Sequence, residues 1–373
     1  MSKKISHAPV PQIAVNGDSK ACGRMAGRLS RERIIKSLAT YKRTFALCDI
    51  SWPEAIQKAR VHLPVIREIT PHLLDELSGL ATGCGDDIDT DTLLALNCRT
   101  EILPPDFLMR AMATGGAVSK DMHANECTSL AVARPDSPVW LAQNWDWVGL
   151  QRDALIVLHA TPDKYPAYIT VTEAGMLAKI GINNKGLGVS LNILRSEDDG
   201  KSPGMPVHFL LRALLECENV DAACELAKRL PYASSSNILI ADQNGNMASL
   251  EISPAGCRIL PTDNGQLCHT NHFLNDEFAA SDAGIKGNIS TVKRLIAAQQ
   301  QLSGINTFSD IKNLLSDTSD GAESICRFAD TSLAEIAQIE TVVGVAMNLT
   351  EQSLWVSAAQ PSVSEFTEHR FSR

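Results

Sequence analysis

Apolar residues recur at helical spacing through the first third of this 373-residue chain and at strand spacing through the rest, with the change close to residue 127. That switch of period restricts the fold more than any other feature. Between Cys22 and Cys48 the pattern is helical, as in Gly23-Arg24-Met25-Ala26-Gly27-Arg28-Leu29 followed by Ile34, Ile35 and Leu38. Ser51 before Trp52-Pro53-Glu54 supplies a cap, a proline for the first turn and an acid, so a helix starts there. Another opens at Pro71-His72-Leu73-Leu74 and ends at the glycines Gly83 and Gly85, and a further one runs from Asp91 to Glu101. Residues 104–126, with Pro104-Pro105 and Gly115-Gly116, read as an exposed loop.

From Cys127 onward the chain reads as a succession of hairpins. Cys127 to Ala133 and Val139 to Asn144 flank the turn residues Arg134 to Pro138. Ala154 to His159 and Ala167 to Thr172 flank Pro162-Asp163-Lys164, and Ala178 to Ile182 and Leu187 to Leu191 flank Asn183-Asn184-Lys185-Gly186. Two helices interrupt them, over Val207 to Cys217 and over Val220 to Leu230, the second capped by Asn219. Asn237 to Ile252 folds back at Asp242-Gln243-Asn244-Gly245, and a hairpin over Thr341 to Ala358 closes the chain. Strands, a helix pair, then strands again predict an α+β fold of antiparallel sheets covered by helices.

Composition removes several function classes. The net charge of −9, with no basic run carrying interleaved aromatics, argues against nucleic acid, whose binding needs clustered Lys and Arg to displace counterions. No stretch reaches the length of a membrane-spanning helix, and Met1 to Val15 lacks an apolar signal-peptide core, so a cytoplasmic location is expected. The ten cysteines are scattered from Cys22 to Cys326 without a Cys-x-x-Cys pair, a spacing of small buried hydrophobes rather than of a disulfide framework.

Context singles out Cys127, which begins a strand directly after the loop in the order Asn125-Glu126-Cys127-Thr128-Ser129. A thiol acts as a nucleophile only as the thiolate, so it needs a base or a lowered pKa. No histidine is obviously placed to supply one. If the chain is cut before Cys127, the new α-amino group, with an ordinary pKa of about 7.7–8.0, serves as base for its own thiol. The alternative is a buried strand cysteine, and these five residues alone favour it.

The remaining motifs change the balance. Glu126-Cys127-Thr128-Ser129 is followed by Gln143-Asn144-Trp145-Asp146-Trp147, Glu173-Ala174-Gly175, Lys179-Ile180-Gly181-Ile182-Asn183 and Lys185 through Asn192. His269-Thr270-Asn271-His272-Phe273 comes next, while Thr70 to Ala81 and Ala95 to Glu101 stand upstream. In this order, from Gly23 to Trp355, the chain resembles the acyl-coenzyme A:6-aminopenicillanic acid (isopenicillin N) acyltransferase family of cysteine N-terminal-nucleophile hydrolases, which also includes bile salt hydrolases and penicillin V acylases. Each motif is weak; together they are strong. The resemblance implies a four-layer αββα fold with a helical N-terminal region. It also implies a precursor cut between Glu126 and Cys127, giving a helical pro-segment over 1–126 and a catalytic chain over 127–373 that form one folded unit.

By the same resemblance Cys127 is the nucleophile and Asp146 holds its new amine, although turn chemistry alone makes Asp146 a hairpin-end cap. Asn271 and Asn192 are the candidate oxyanion donors, each of a kind that contributes roughly 2.7–4 kcal/mol. Arg294, in Ser290-Thr291-Val292-Lys293-Arg294-Leu295, is similar to the arginine beside the nucleophile in bile salt hydrolases, its alternative being a solvated residue on an amphipathic helix. Trp145, Trp147, Glu173 and Phe273 are candidate substrate contacts. Two departures stand out: Glu126 replaces the glycine of the penicillin-pathway acyltransferase, and Gln143 replaces an arginine of the bile salt hydrolases, so bile-acid specificity is not supported.

The function expected is hydrolysis of a small N-acyl or peptide-like amide through a thioester, without metal or cofactor. Acyl transfer to an amine, from an amide or a coenzyme A thioester, is the runner-up. A binding domain that keeps the fold without cleaving is the second alternative. A metal enzyme using His269 and His272 with Asp146 or Glu173 is disfavoured, since no third ligand has diagnostic spacing. A homo-oligomer suits the class, though no residue pattern specifies one.

Overall fold

The computed structural model describes residues 7–104, 106–107, 110, 127–262, 264–285 and 289–372, so Glu126 and nearly all of the expected loop over 104–126 lie outside the described residues. In chain order, β1 (Gln12–Gly17) precedes the helices α1 (Ser19–Leu47), α2 (Trp52–Arg60), α3 (Leu63–Ile69), α4 (Pro71–Cys84), α5 (Thr90–Asn97) and α6 (Arg99–Ile102). Six strands follow: β2 (Cys127–Val132), β3 (Trp140–Val148), β4 (Leu155–Pro162), β5 (Tyr168–Glu173), β6 (Ile180–Asn183) and β7 (Leu187–Ile193). Helices α7 (Val207–Leu214) and α8 (Val220–Lys228) lead to β8 (Ser236–Asp242), β9 (Met247–Ser253), β10 (Gly256–Leu260) and β11 (Gln266–His269). Helices α9 (Asp276–Ala279), α10 (Ile289–Leu302) and α11 (Phe308–Leu315) then give way to β12 (Ile339–Asn348), β13 (Ser353–Ser357) and β14 (Phe366–Arg370).

Among the described residues these strands form an eight-stranded sheet, ordered β1-β4-β5-β6-β7-β8-β9-β10, and a six-stranded sheet, ordered β11-β2-β3-β12-β13-β14. The sheets face one another. Gln143 on β3 reaches across to β7, donating from Nε2 to the Leu191 carbonyl (2.5 Å) and accepting from the Leu191 amide (2.9 Å). Helices α1 and α8 lie against the outer face of the larger sheet, while α10 and α11 cover the smaller one. There Leu130, Val132, Trp140 and Ala142 pack on Ala298, Leu302, Ile311 and Leu314. The result is the four-layer αββα fold that the resemblance implies. Residues before 104 and after 127 share one apolar core. No helix among the described residues is long and apolar enough to cross a membrane.

The expected hairpins pair in register, including Cys127 with Trp145 and Ser236 with Ile252. Local caps behave as their residue types dictate: Ser51 accepts from the Glu54 amide and Asn219 from the Ala222 amide. Four features differ from the sequence reading. The larger sheet is not wholly antiparallel, because the short edge strand β1 pairs parallel to β4. The chain is not closed by the β12–β13 hairpin, since β14 pairs on β13 as a further edge strand. The helix expected over Asp91 to Glu101 breaks at Cys98 into α5 and α6. Gly83 does not end α4; only Gly85, at φ 93°, does so.

Gly83 instead belongs to a backbone-to-backbone contact between α1 and α4. A Cβ added at Gly23 or Gly27 would lie 1.9 or 2.1 Å from the Glu76 or Leu80 carbonyl oxygen. One added at Gly79 or Gly83 would meet the Lys20 or Arg24 oxygen at 2.1 Å. The four glycines let the two helices touch, and α1 in turn carries Tyr41 to the centre of the protein.

Candidate active site

Cys127 is the first residue of β2, 5% exposed, and both of its main-chain polar groups are held by side chains. Its nitrogen donates to Asn271 Oδ1 at 2.6 Å. Its carbonyl oxygen accepts from Arg294 Nη1 at 2.7 Å and from Asn192 Nδ2 at 3.1 Å. Arg294, fully buried on α10, also donates to Thr128 Oγ1 (3.0 Å), Asn271 Oδ1 (3.1 Å) and Ser290 Oγ (3.2 Å). The guanidinium fork thus ties α10 to both the nucleophile candidate and its asparagine.

The orientation of Asn271 follows from its neighbours. Its Oδ1 faces two donors, and its amide nitrogen faces the Ile193 carbonyl at 2.9 Å, so the network admits one assignment of oxygen and nitrogen. Asn192 likewise directs Nδ2 to the carbonyls of Cys127 and His269, and accepts from Ser129 Oγ and Asn237 Nδ2. Both asparagines expected at the oxyanion therefore converge on Cys127, each with its amide nitrogen on a main-chain carbonyl.

The Cys127 thiol points back toward β3, with Sγ 3.9 Å from the Asp146 carbonyl oxygen. Burial, and then the charge of Asp146, push it up to about 11, while Lys179 and Arg294 pull it the other way. Such a thiol is protonated at neutral pH and becomes a nucleophile only with a base beside it. The buried Asp146 accepts at Oδ1 from Thr341 Oγ1 at 2.6 Å. Thr341 is itself pinned, accepting from the Arg327 amide at 2.9 Å.

The four candidate substrate contacts divide. Trp145 stands directly across the strand pair from Cys127. Trp147 donates from Nε1 to the Tyr41 hydroxyl (2.9 Å) and packs beside Phe107 and the Arg99 guanidinium. Glu173 is fully buried and accepts from Tyr41 and from Arg99 (3.2 Å), with Lys179 Nζ at 3.8 Å. It is the anionic centre of an internal network linking α1, α6 and β5. Phe273 packs away with Leu194 and Phe278 in a small separate cluster.

His269 and His272 are committed to protein partners. Nε2 of His269 lies 2.7 Å from Glu251 and its Nδ1 2.9 Å from the Thr270 carbonyl, while His272 Nδ1 lies 2.9 Å from Thr291 Oγ1. Among the described residues no cluster of three or more His, Cys, Asp and Glu side chains is arranged to hold a metal ion.

Sequence reasoning assigned no role to Lys179, Thr128, Thr341, Tyr41 or Arg99. Lys179 had a signal, a lysine opening an otherwise apolar strand, Lys179-Ile180-Gly181-Ile182. Thr128 adjoins Cys127 on the same strand, whereas Thr341, Tyr41 and Arg99 reach the site from elements distant in sequence.

Fold and site together define a layered αββα protein with a buried cysteine at the first residue of a central strand, its nitrogen and carbonyl held by side chains. The family model for acyl-coenzyme A:6-aminopenicillanic acid acyl-transferase matches residues 132–361, and the chain belongs to that family. It is 29% identical over 213 residues to the acyl-coenzyme A:6-aminopenicillanic-acid-acyltransferase 40 kDa form of Emericella nidulans. That match takes in 56% of this chain and 54% of the relative, so it spans about half of the relative's length. Among solved structures, a mutant of the conjugated bile acid hydrolase from Clostridium perfringens aligns with 66% of this chain and 97% of its own, at 12% identity and a TM-score of 0.41. Penicillin V acylase from Agrobacterium tumefaciens aligns with 62% of this chain and 82% of its own, at 17% identity and a TM-score of 0.35.

Proposed function

We propose that this protein is a self-processing cysteine amidohydrolase that cleaves a small N-acyl or peptide-like amide through a thioester. The observation that carries the reading is the nitrogen of Cys127, met by the oxygen of a buried asparagine that Arg294 fixes in place. An acceptor there suits an α-amino group that must keep its lone pair directed at its own thiol. In the precursor, the Cys127 thiol attacks the Glu126 carbonyl, the acyl chain moves from nitrogen to sulfur, and water releases residues 1–126 from 127–373. In turnover the freed amine takes the thiol proton, the thiolate attacks the substrate carbonyl, and the leaving amine departs with that proton. Water then hydrolyses the thioester.

Asn271, itself fixed by Arg294, accepts from the amine, and the charge of Asp146 favours the protonated form of that amine. For Asn271 or Asn192 to serve the oxyanion, its amide nitrogen exchanges the carbonyl it holds for the substrate oxygen. Acyl transfer is the second reading, favoured by the names of the matched family and of the fungal relative. It differs only in what attacks the thioester, an amine in place of water. The reading places the enzyme in the cytoplasm, acting on small molecules.

Intact mass of the purified protein beside a Cys127→Ala control tests the proposal. Fragments 1–126 and 127–373 in the wild type alone are expected; a single full-length chain in both refutes self-processing and leaves a non-cleaving homologue. Turnover of acyl-coenzyme A plus amine, without turnover of N-acyl amino acids, would reverse the order of hydrolysis and transfer.

A further inference from the structure

Lys179 precedes β6 in the larger sheet, yet its ammonium crosses the gap between the sheets. Nζ lies 3.1 Å from the ring centroid of Trp145, and Trp145 is the residue directly opposite Cys127 in the β2–β3 pair. Directly opposed residues of an antiparallel pair put their side chains on the same face, with Cβ atoms about 4.5–5.5 Å apart. The lysine is therefore stacked on the immediate neighbour of the thiol, and it is only 2% exposed. A buried ammonium on an indole face exerts its field at short range with little water to screen it.

The local charge does not cancel. Glu173 on β5 is the ion-pair partner of Lys179 at 3.8 Å, but the same carboxylate oxygen also accepts from Arg99 on α6 at 3.2 Å. Two cations share one carboxylate. Tyr41 on α1 keeps its proton, because burial pushes its hydroxyl well up, and burial with Arg99 and Lys179 holds His208 on α7 neutral. On the opposite side of the thiol, Asp146 on β3 opposes a thiolate and Arg294 on α10 favours it.

We infer that Lys179 is a positioning residue for the nucleophile, its ammonium stacked on Trp145 supplying the positive field that stabilises the Cys127 thiolate. The inference rests on Cys127 being the nucleophile and extends that reading to a residue with no atom in the reaction. Arg294 binds the main chain of Cys127, whereas Lys179 acts on the sulfur side. Burial pushes Lys179 well below the usual lysine range while the charge of Glu173 supports the ammonium, so the field on the thiol lasts only as long as that ammonium keeps its proton.

The test is the pH dependence of Cys127 alkylation by iodoacetamide, read at that residue by peptide mass spectrometry in wild type, Lys179→Met and Lys179→Arg. The midpoint in Lys179→Met should rise by about one unit, the lower end of the effect of removing a nearby opposite charge. Lys179→Arg, which stays charged throughout, should keep the midpoint no higher than wild type. An unchanged midpoint in Lys179→Met beside a reactive wild type overturns the inference while leaving the nucleophile in place. If Lys179→Met does not fold, Lys179→Arg decides: a raised midpoint overturns the inference and an unraised one supports it. No labelling of Cys127 in the wild type at any pH refutes the nucleophile, and the inference with it.

Discussion

Replacing Glu173 by Gln separates a structural carboxylate from a substrate-binding one. The substitution keeps shape and an acceptor for the Tyr41 hydroxyl but removes the charge that serves Arg99 and Lys179, all of them buried. Breaking a buried ion pair by removing one partner costs about 3–5 kcal/mol, since the remaining charge stays desolvated. Two features place this site at the low end. Lys179 is already pushed well down by burial and can lose its proton, which relieves about 1.4 kcal/mol for each pKa unit. Arg99 cannot, but its guanidinium keeps the rings of Trp147 and Tyr41, 4.6 and 5.1 Å away. We expect a loss of roughly 3 kcal/mol, seen as a drop in melting temperature of about 6 °C at ~2 °C per kcal/mol for a large domain. Adding Arg99→Met should recover part of it by removing the stranded cation, a non-additivity that calorimetry can read. A loss under about 1 kcal/mol in Glu173→Gln, accompanied by loss of turnover, would refute the reasoning and return Glu173 to the substrate.

Gly27→Val should destabilise far more than a surface change, since its Cβ meets the Leu80 carbonyl at 2.1 Å and must drive α1 from α4; a denaturation midpoint within error of wild type would refute the close contact. Alkaline stability should fall because burial pushes Cys22 up to about 12 and Cys48, Cys84 and Cys127 up to about 11. A thiol whose folded value exceeds its unfolded value of about 8.5 contributes stability that is complete below pH ~8.5 and lost as pH rises toward 11. Melting curves in reductant should therefore be flat to about pH 8 and decline above it, and a flat profile to pH 11 would contradict the burial of these thiols.

The hairpins were legible because turn residues such as Asp242 to Gly245 sit between strand-period runs, and the caps because Ser51 and Asn219 act within one turn. The edge strands were not. β1 and β14 are short and half-exposed, and only their partners, remote in sequence for β1, make them strands. Asp146, Asn192, Asn271 and Arg294 do gather at Cys127, but family resemblance rather than periodicity brought them to notice. Phe273 packs on Phe278 and Leu194, contacts that its nearness to Asn271 in sequence does not reveal. Lys179 escaped because a lysine before a strand ordinarily reaches water, and only Trp145 and Glu173 from other elements turn it inward.

The parallel pairing of β1 with β4, from Gln12 beside Val157 to Gly17 beside Pro162, bears on what a cut at residue 127 could accomplish. β1 must wait for a partner made some hundred and forty residues later, so the sheet is stitched from both sides of residue 127. Proteolysis there would be a nick in a finished fabric rather than the release of an inhibitor. A daughter chain deprived of its first segment would bare the edge of β4, an open row of amides and carbonyls inviting strands from other molecules. Activation and solubility would thus depend on the severed piece staying where it was woven in.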